Sequence, residues 1–181
     1  MKVAFLDRDG VLNIDYRYVH TWDSFVWVPG AIEALQRLRD MKFKLIVITN
    51  QSGIARGFYS ENDFHILMEQ IKLELQQYNV QILDVFFCPH HKDGNVIEYK
   101  TDCNCRKPKP GMILKAIKKY MVSLSESILV GDQETDIIAG KSAGINRCFK
   151  VDSCTAENIA TFEPNSSNNS LLSVAKNLQN I

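Results

Sequence analysis

Three short stretches of the chain place hard oxygen donors where phosphorus chemistry would use them. Asp7-Arg8-Asp9-Gly10 closes one apolar run, Thr49-Asn50-Gln51-Ser52-Gly53 closes a second, and Gly131-Asp132, with Asp136 four residues on, closes a third. Asp7 and Asp9 are two apart, so in an extended chain both carboxylates project to one side. With Asp132 they form the kind of oxygen-donor cluster that Mg²⁺ takes while keeping water and a substrate phosphate in its other positions. A carboxylate beside such a metal can attack phosphorus to form an aspartyl phosphate, and a second can protonate the leaving oxygen. The transferring phosphoryl carries negative charge, and Thr49 and Lys107 supply the hydroxyl and the cation wanted around it.

Each stretch alone has a plainer reading. Asp-x-Asp-Gly also opens calcium loops, but an EF-hand would need Gly at position 12 and Glu at position 18, where the chain has Leu12 and Tyr18. Thr49 to Gly53 could merely cap a helix, and Arg106-Lys107-Pro108-Lys109-Pro110 could be a solvated basic loop. Their occurrence together, each at the end of an apolar run or the start of a helix, favours one shared site.

A second constellation is Cys88-Pro89-His90-His91 followed by Cys103-Asn104-Cys105. Thiolate and imidazole are zinc ligands, and four of them close a tetrahedral site that leaves no position for water or substrate. The alternative is a set of reduced cysteines beside a surface His pair. His90 stands one residue from Cys88, the same gap as between Cys103 and Cys105, which makes His91 the weaker ligand. Arg106 and Lys107 follow Cys105 directly, so zinc would stiffen the loop that aims both cations.

The elements that must hold these residues follow a βαβ rhythm. Apolar runs at residues 3–6, 45–48, 85–87, 128–130 and, more weakly, 148–151 read as strands. Between them Ala31, Ala34, Leu35 and Leu38 share a helix face, as do Phe64, Leu67, Met68, Ile71 and Leu75 behind a Ser60/Asp63 start signal. Pro110 opens a further helix and Gly144 stops the one from about Thr135. The spacing predicts an α/β fold with a Rossmann-like parallel sheet flanked by helices. Ligands of such sheets bind beyond the carboxyl ends of the strands, where all three acidic or hydroxyl stretches fall. Residues 165–170 read as a connector to a last short helix near residues 171–178. Trp22, Phe25 and Trp27 cover the sheet edge or flank the site, Cys148 and Cys154 are ordinary thiols, and His20 and His65 show no partner.

Composition narrows the partners. The 181 residues carry 21 Lys+Arg against 21 Asp+Glu, 45% hydrophobic and 23% charged. That is the profile of one soluble domain with a core large enough to need no disulfide. Zero net charge gives no long-range pull toward nucleic acid or an anionic membrane, so a small molecule is the expected partner and a monomer the expected state. The short apolar start is too brief for a signal peptide, so the protein is expected to be cytoplasmic, where its five cysteines stay reduced. The Asn-x-Ser matches at Asn165 and Asn168 then have no use.

These ordered motifs resemble those of the haloacid dehalogenase superfamily: Asp7-x-Asp9-Gly10-Val11, Thr49-Asn50, Lys107 and Gly131-Asp132-x-x-x-Asp136. The runs from Asp7 to Asn13 and from Thr49 to Gly57, together with the Cys/His loop and Arg106-Lys107-Pro108, resemble its branch acting on heptose bisphosphates and histidinol phosphate. The resemblance covers residues 1–151. It implies a phosphatase domain there, with a zinc loop at 88–105, and leaves 152–181 as an extension with a short helix.

By resemblance, Asp7 is the nucleophile and a Mg²⁺ ligand. Asp9 is the general acid and binds Mg²⁺ through its backbone carbonyl, and Asp132 completes the magnesium site. Thr49 and Lys107 would stabilise the phosphoryl group; Asp15, Tyr16, Arg17, Tyr18, Thr49, Asn50, Gln51 and Ser52 would touch the substrate, with Arg106 reading its distal part. Structural Zn²⁺ falls on Cys88, His90, Cys103 and Cys105. Gln133 departs from the cation that the heptose branch carries there.

The implied reaction is removal of the C7 phosphate of a sugar bisphosphate, heptose 1,7-bisphosphate, in nucleotide-activated heptose synthesis for lipopolysaccharide or a related glycan. Histidinol phosphate is the alternative substrate, and a non-catalytic zinc-stabilised binding module the alternative of another class. The connections between Asp9, Thr49 and Lys107 are too short for a large cap domain.

Overall fold

Five parallel strands form the frame: β1 (Val3–Leu6), β2 (Lys44–Asn50), β3 (Ile82–Cys88), β4 (Ile128–Gly131) and β5 (Arg147–Lys150), in the spatial order β3-β2-β1-β4-β5. The computed structural model describes residues 1–165 and 170–180. Residues 166–169, most of the expected connector together with Asn168, lie outside the described residues. The inner strands are apolar at nearly every position because helices cover both faces of the sheet.

Alternation along the strands decides which helix each residue meets. Ala4 and Leu6 of β1, Leu45 and Val47 of β2, and Ile128 and Val130 of β4 face α1 (Ala31–Asp40), α3 (Glu61–Gln76) and α6 (Leu171–Gln179). Val3, Phe5, Ile46, Ile48 and Leu129 face α4 (Gly111–Tyr120) and α5 (Glu134–Ser142) on the other side. A short helix, α2 (Ser52–Arg56), follows β2 directly.

The helix ends obey local chemistry. At the start of α3, Ser60 Oγ accepts from the Asp63 N–H at 3.1 Å and Asp63 Oδ2 accepts from the Ser60 N–H at 2.8 Å, a reciprocal cap. Pro110 is the residue before α4 rather than part of its first turn. Gly144, at φ +91°, follows the end of α5 in a conformation that few residues other than glycine adopt.

Loops complete the frame. Only short segments and one or two helices join β1 to β2, β2 to β3 and β3 to β4, so nothing the size of a second domain roofs the carboxyl ends of the strands. Trp22 and Phe25 stack at 5.6 Å and Phe25 meets Trp27 edge-on at 4.9 Å, packing on the α1/α3/α6 side of the core. His20 stacks on Tyr59 at 4.8 Å, and His65 meets Phe87 edge-on at 5.3 Å. After β5 the chain returns to the first loop: the Cys154 N–H donates to the Gly10 carbonyl at 3.0 Å, and the Asp15 N–H donates to the Cys154 carbonyl at 2.8 Å. Cys154 is fully buried there, and Cys148 is partly buried with its thiol 3.1 Å from the Ile145 carbonyl. Among the described residues no helix is long and apolar enough to cross a membrane.

Candidate active site

The site is assembled by three neighbouring strand ends. Asp7 follows β1, Thr49 and Asn50 end β2, and Asp132 follows β4; since β1 lies between β2 and β4, all four converge on the middle of one sheet edge. The Asp7 N–H donates to the Val130 carbonyl at 3.0 Å, so the ladder between β1 and β4 continues one step into the site.

Lys107 is the hub. Its ammonium lies 2.8 Å from Asp7 Oδ1 and 2.6 Å from Asp136 Oδ1, and donates to the Ile48 carbonyl at 2.9 Å. All three charged side chains are buried. Asn50 clamps the backbone of Lys107 from both sides: its Oδ1 accepts the Lys107 N–H at 3.1 Å, and its Nδ2 donates to the Lys107 carbonyl at 3.2 Å. Asp136 Oδ2 also accepts the Gln133 N–H at 2.9 Å, which ties the Lys107 pocket to the first turn of α5.

The charge balance of this cluster is negative. Burial pushes the Asp7 carboxyl well above the ordinary carboxylate range, Lys107 pulls it back, and Asp136 and Asp132 repel it further. Burial alone would lower Lys107, but Asp7 and Asp136 outweigh it and hold the ammonium protonated. One cation therefore serves Asp7, Asp132 and Asp136, whose carboxylate oxygens lie within 4.8 Å of one another. Asp132 Oδ2 accepts from Gln133 Nε2 at 3.0 Å, while its buried Oδ1 has no hydrogen-bond partner among the described residues. A divalent cation with oxygen preference would relieve both the charge excess and the orphaned oxygen, so the residues present fit Mg²⁺.

Asp9 stands in a separate network. Its Oδ1 accepts from Arg8 Nη2 at 2.8 Å, from Arg8 Nε at 3.3 Å and from Asn13 Nδ2 at 3.1 Å, and its Oδ2 accepts from Gln51 Nε2 at 3.1 Å. Arg8 is 1% exposed and also donates to the Val19 carbonyl at 2.7 Å. The Gln51 amide is oriented by its neighbours: Nε2 also donates to Thr49 Oγ1 at 2.7 Å, and Oε1 accepts from the Tyr59 hydroxyl at 2.6 Å. Thr49 thus receives a hydrogen bond on its oxygen and keeps its own proton for a partner in the cavity.

Two adjoining hollows hold most of the residues that the sequence singles out. A cavity of about 230 Å³ brings together Asp7, Asp9, Thr49, Lys107 and Asp132, with Asp136 and Gln133. A second, of about 270 Å³, is lined by Arg17, Tyr18, Gln51, Ser52 and Tyr59. Asp9, Asp15 and Asn50 line both, which makes the two continuous. Burial raises the Asp15 carboxyl, its hydrogen bond from the Arg17 N–H lowers it, and Asp9 and Asp132 raise it again. Tyr16 and Arg106 line neither hollow; Arg106 Nη1 reaches the His90 carbonyl at 3.4 Å. Asp136, Arg8, Asn13 and Tyr59 were not assigned site roles from sequence. Asp136 stood in the acidic motif without a task, and the other three act through contacts that no spacing signals.

On the far side of Lys107 the structure gathers Cys88, His90, Cys103 and Cys105, their ligand atoms all within 4.8 Å of one another. The sulfurs are 3.2 to 3.4 Å apart, and His90 Nδ1 lies 3.4 Å from Cys105 Sγ and 3.7 Å from Cys88 Sγ. A tetrahedral zinc with bonds of about 2.3 Å to sulfur has edges near 3.8 Å, so three thiols and one imidazole at these positions fit Zn²⁺ with modest expansion. The hydrogen bond shared with Cys88 brings the Cys105 thiol down to about 5 against the effect of burial, with Cys103 and His90 assisting. The same bond, with burial, pushes Cys88 up. His91 is outside the group, its Nδ1 accepting the Asp93 N–H at 3.1 Å.

A parallel α/β sheet with buried carboxylates and an ion-paired lysine at its carboxyl edge defines a hydrolase-type centre for a phosphorylated ligand. Residues 3–144 match the haloacid dehalogenase-like hydrolases, and the chain belongs to that family. It is 50% identical to the D-glycero-alpha-D-manno-heptose-1,7-bisphosphate 7-phosphatase of Photorhabdus laumondii, over 83% of this chain and 82% of that one. It is 41% identical to the D-glycero-beta-D-manno-heptose-1,7-bisphosphate 7-phosphatase of Escherichia coli K12, over 92% and 90%. Among solved structures, the D,D-heptose 1,7-bisphosphate phosphatase of B. bronchiseptica, complexed with magnesium and phosphate, superposes with a TM-score of 0.81 at 30% identity over 99% of each chain.

Proposed function

We propose that this protein is a Mg²⁺-dependent phosphatase that removes the C7 phosphate of D-glycero-D-manno-heptose 1,7-bisphosphate, within cytoplasmic synthesis of nucleotide-activated heptose. The observation that carries the reading is the buried Asp7–Lys107–Asp136 cluster with the orphaned Asp132 oxygen beside it. The names of the relatives supply the substrate.

Mg²⁺ held by the Asp7 and Asp132 carboxylates and the Asp9 carbonyl would neutralise the phosphoryl oxygens and orient the phosphorus. In the first step an Asp7 oxygen bonds to phosphorus as the bond from phosphorus to the C7 oxygen breaks, and Asp9 gives its proton to that leaving oxygen. In the second, Asp9 takes a proton from water, whose oxygen bonds to phosphorus as the bond to Asp7 breaks and inorganic phosphate leaves. Thr49 donates its free hydroxyl proton to a phosphoryl oxygen, and Lys107 balances the charge that Asp7 gains and loses. Gln51, held by Tyr59, keeps Thr49 and Asp9 at a fixed separation. Zn²⁺ on Cys88, His90, Cys103 and Cys105 would brace the segment that delivers Lys107.

The test is phosphate release from both anomers of the heptose bisphosphate and from histidinol phosphate, with and without Mg²⁺, by wild type and Asp7→Asn. The expected result is turnover of a heptose bisphosphate in preference to histidinol phosphate, dependent on Mg²⁺ and lowered by about 10⁴-fold or more in Asp7→Asn with the fold retained. Preference for histidinol phosphate overturns the substrate. Full activity in Asp7→Asn overturns the mechanism.

A further inference from the structure

Arg8 stands between the two carboxylates of the proposed mechanism, which gives it no task. It is 1% exposed, among the largest of the fully buried side chains, and its guanidinium lies 5.8 Å from the centroid of the Phe64 ring in the core. Taking a guanidinium out of water is costly, and a buried ion pair seldom repays that cost as stability. Arg8 Nη1 has no hydrogen-bond partner among the described residues, so the group is not arranged to stabilise the fold as fully as it could.

Its contacts converge instead on a single oxygen. Nη2 and Nε both donate to Asp9 Oδ1, at 2.8 and 3.3 Å, and Asn13 Nδ2 donates to the same atom at 3.1 Å. Asn13 is brought back to Asp9 by a tight turn on the Arg8 carbonyl, which accepts the Leu12 and Asn13 N–H groups at 2.8 and 3.1 Å. Three donors on one carboxylate oxygen leave it no lone pair for a proton. Oδ2 is different. Gln51 Nε2 is its one donor among the described residues, at 3.1 Å, so a lone pair stays open. Asp9 lines both hollows and Arg8 lines neither, so the guanidinium holds the carboxyl from behind. The same Nη2 also donates to the Val19 carbonyl at 2.7 Å, which fixes the acid and the loop after Tyr18 to one atom.

We infer that Arg8 is a positioning residue that turns Asp9 so that Oδ2, and not Oδ1, carries the proton of the reaction. The inference rests on the phosphatase reading above. In the first step the proton leaves Oδ2 for the C7 oxygen as the bond from that oxygen to phosphorus breaks. In the second, Oδ2 takes a proton from the attacking water.

The test uses the leaving group's need for a proton. A sugar alkoxide must be protonated as it departs, whereas p-nitrophenolate, a far weaker base, departs without one. Rapid kinetics of the full chain with Mg²⁺ isolates the first step for each: single-turnover loss of heptose 1,7-bisphosphate, and the nitrophenolate burst from p-nitrophenyl phosphate. In Arg8→Met the sugar step should slow about 100-fold relative to the aryl step. Arg8→Lys keeps the charge but cannot send two N–H groups to one oxygen, so its ratio should fall between, and it decides by the same ratio should Arg8→Met fail to fold. Both steps slowed alike would assign Arg8 to the fold alone and overturn the inference while the phosphatase reading stands, as would a folded variant that slows neither. Wild type that releases no phosphate from the heptose bisphosphate overturns the reading as well.

Discussion

The carboxylate cluster around Lys107 and the thiol cluster around Cys105 are separated by a single residue of chain, Arg106, yet differ in what holds them. Asp7, Thr49 and Asp132 sit at the ends of inner strands whose side chains are packed on both faces, and Asp136 sits in the first turn of a helix that covers the same sheet. Their positions follow from the core. The thiols of Cys103 and Cys105 and the imidazole of His90 hang on a segment from 89 to 105 in which Gly94 is the only buried residue that is not next to a ligand and Ile97 is 90% exposed. Such a segment has little apolar interior to order it, and a closed metal site of the proposed kind would replace one. The difference teaches that the carboxylates are placed by the sheet, while the lysine that pairs with them is delivered by a loop whose order rests on a cluster of thiols and an imidazole. Asn50 joins the two, clamping the Lys107 peptide from the sheet side.

Three perturbations would break or sharpen this contrast. The largest effect belongs to Lys107→Met, which leaves Asp7 and Asp136 buried without their ammonium. Phosphate release should drop by about 10³-fold or more, and urea unfolding should show a loss of about 3–5 kcal/mol, partly restored by Mg²⁺. A mild effect on both would mean that the sheet tolerates the bare carboxylates and that Lys107 is not the hub. Cys103→Ser, or removal of zinc by a chelator, should act on the other side of the contrast. Activity should fall about tenfold, with faster hydrogen exchange across residues 88–109 and protection retained in β1, β2 and β4. Zinc-free protein working at full rate would refute the bracing role. The smallest effect is expected away from both clusters, at Ser170→Ala. The Ser170 hydroxyl caps α6 by accepting the Ser173 N–H at 3.0 Å, so thermal unfolding should report about 1 kcal/mol lost with kcat unchanged.

Much of this could be read along the chain because the elements and the motifs share one cause. Runs of apolar residues mark strands buried on both faces, and a parallel sheet exposes chemistry only where such runs end, so Asp7, Thr49 and Asp132 announce themselves by position. The gathering of Cys88, His90, Cys103 and Cys105 was legible from residue type and short gaps. Adjacency along the chain carries no direction. Arg106 and Lys107 stand side by side in a turn, and the turn sends the Lys107 ammonium to Asp7 while Arg106 Nη1 lies 3.4 Å from the His90 carbonyl. The Tyr59–Gln51–Asp9–Arg8 network was hidden for another reason. It is made of hydrogen bonds between a strand end, a loop and a buried arginine that no periodicity records.

Gly10, at φ +80° between Ser153 and Asp132, marks where the earliest and late parts of the chain meet. In chain order Asp7 precedes its partners: Lys107 comes only after three strands, Asp136 after the fourth, and Cys154, whose N–H donates to the Gly10 carbonyl, after the fifth. Contacts of such long sequence separation form late in folding. Asp7 therefore waits for its ammonium partner, the neighbouring carboxylates and the backbone clasp, and the cluster should be complete only when the last strand closes on the first loop.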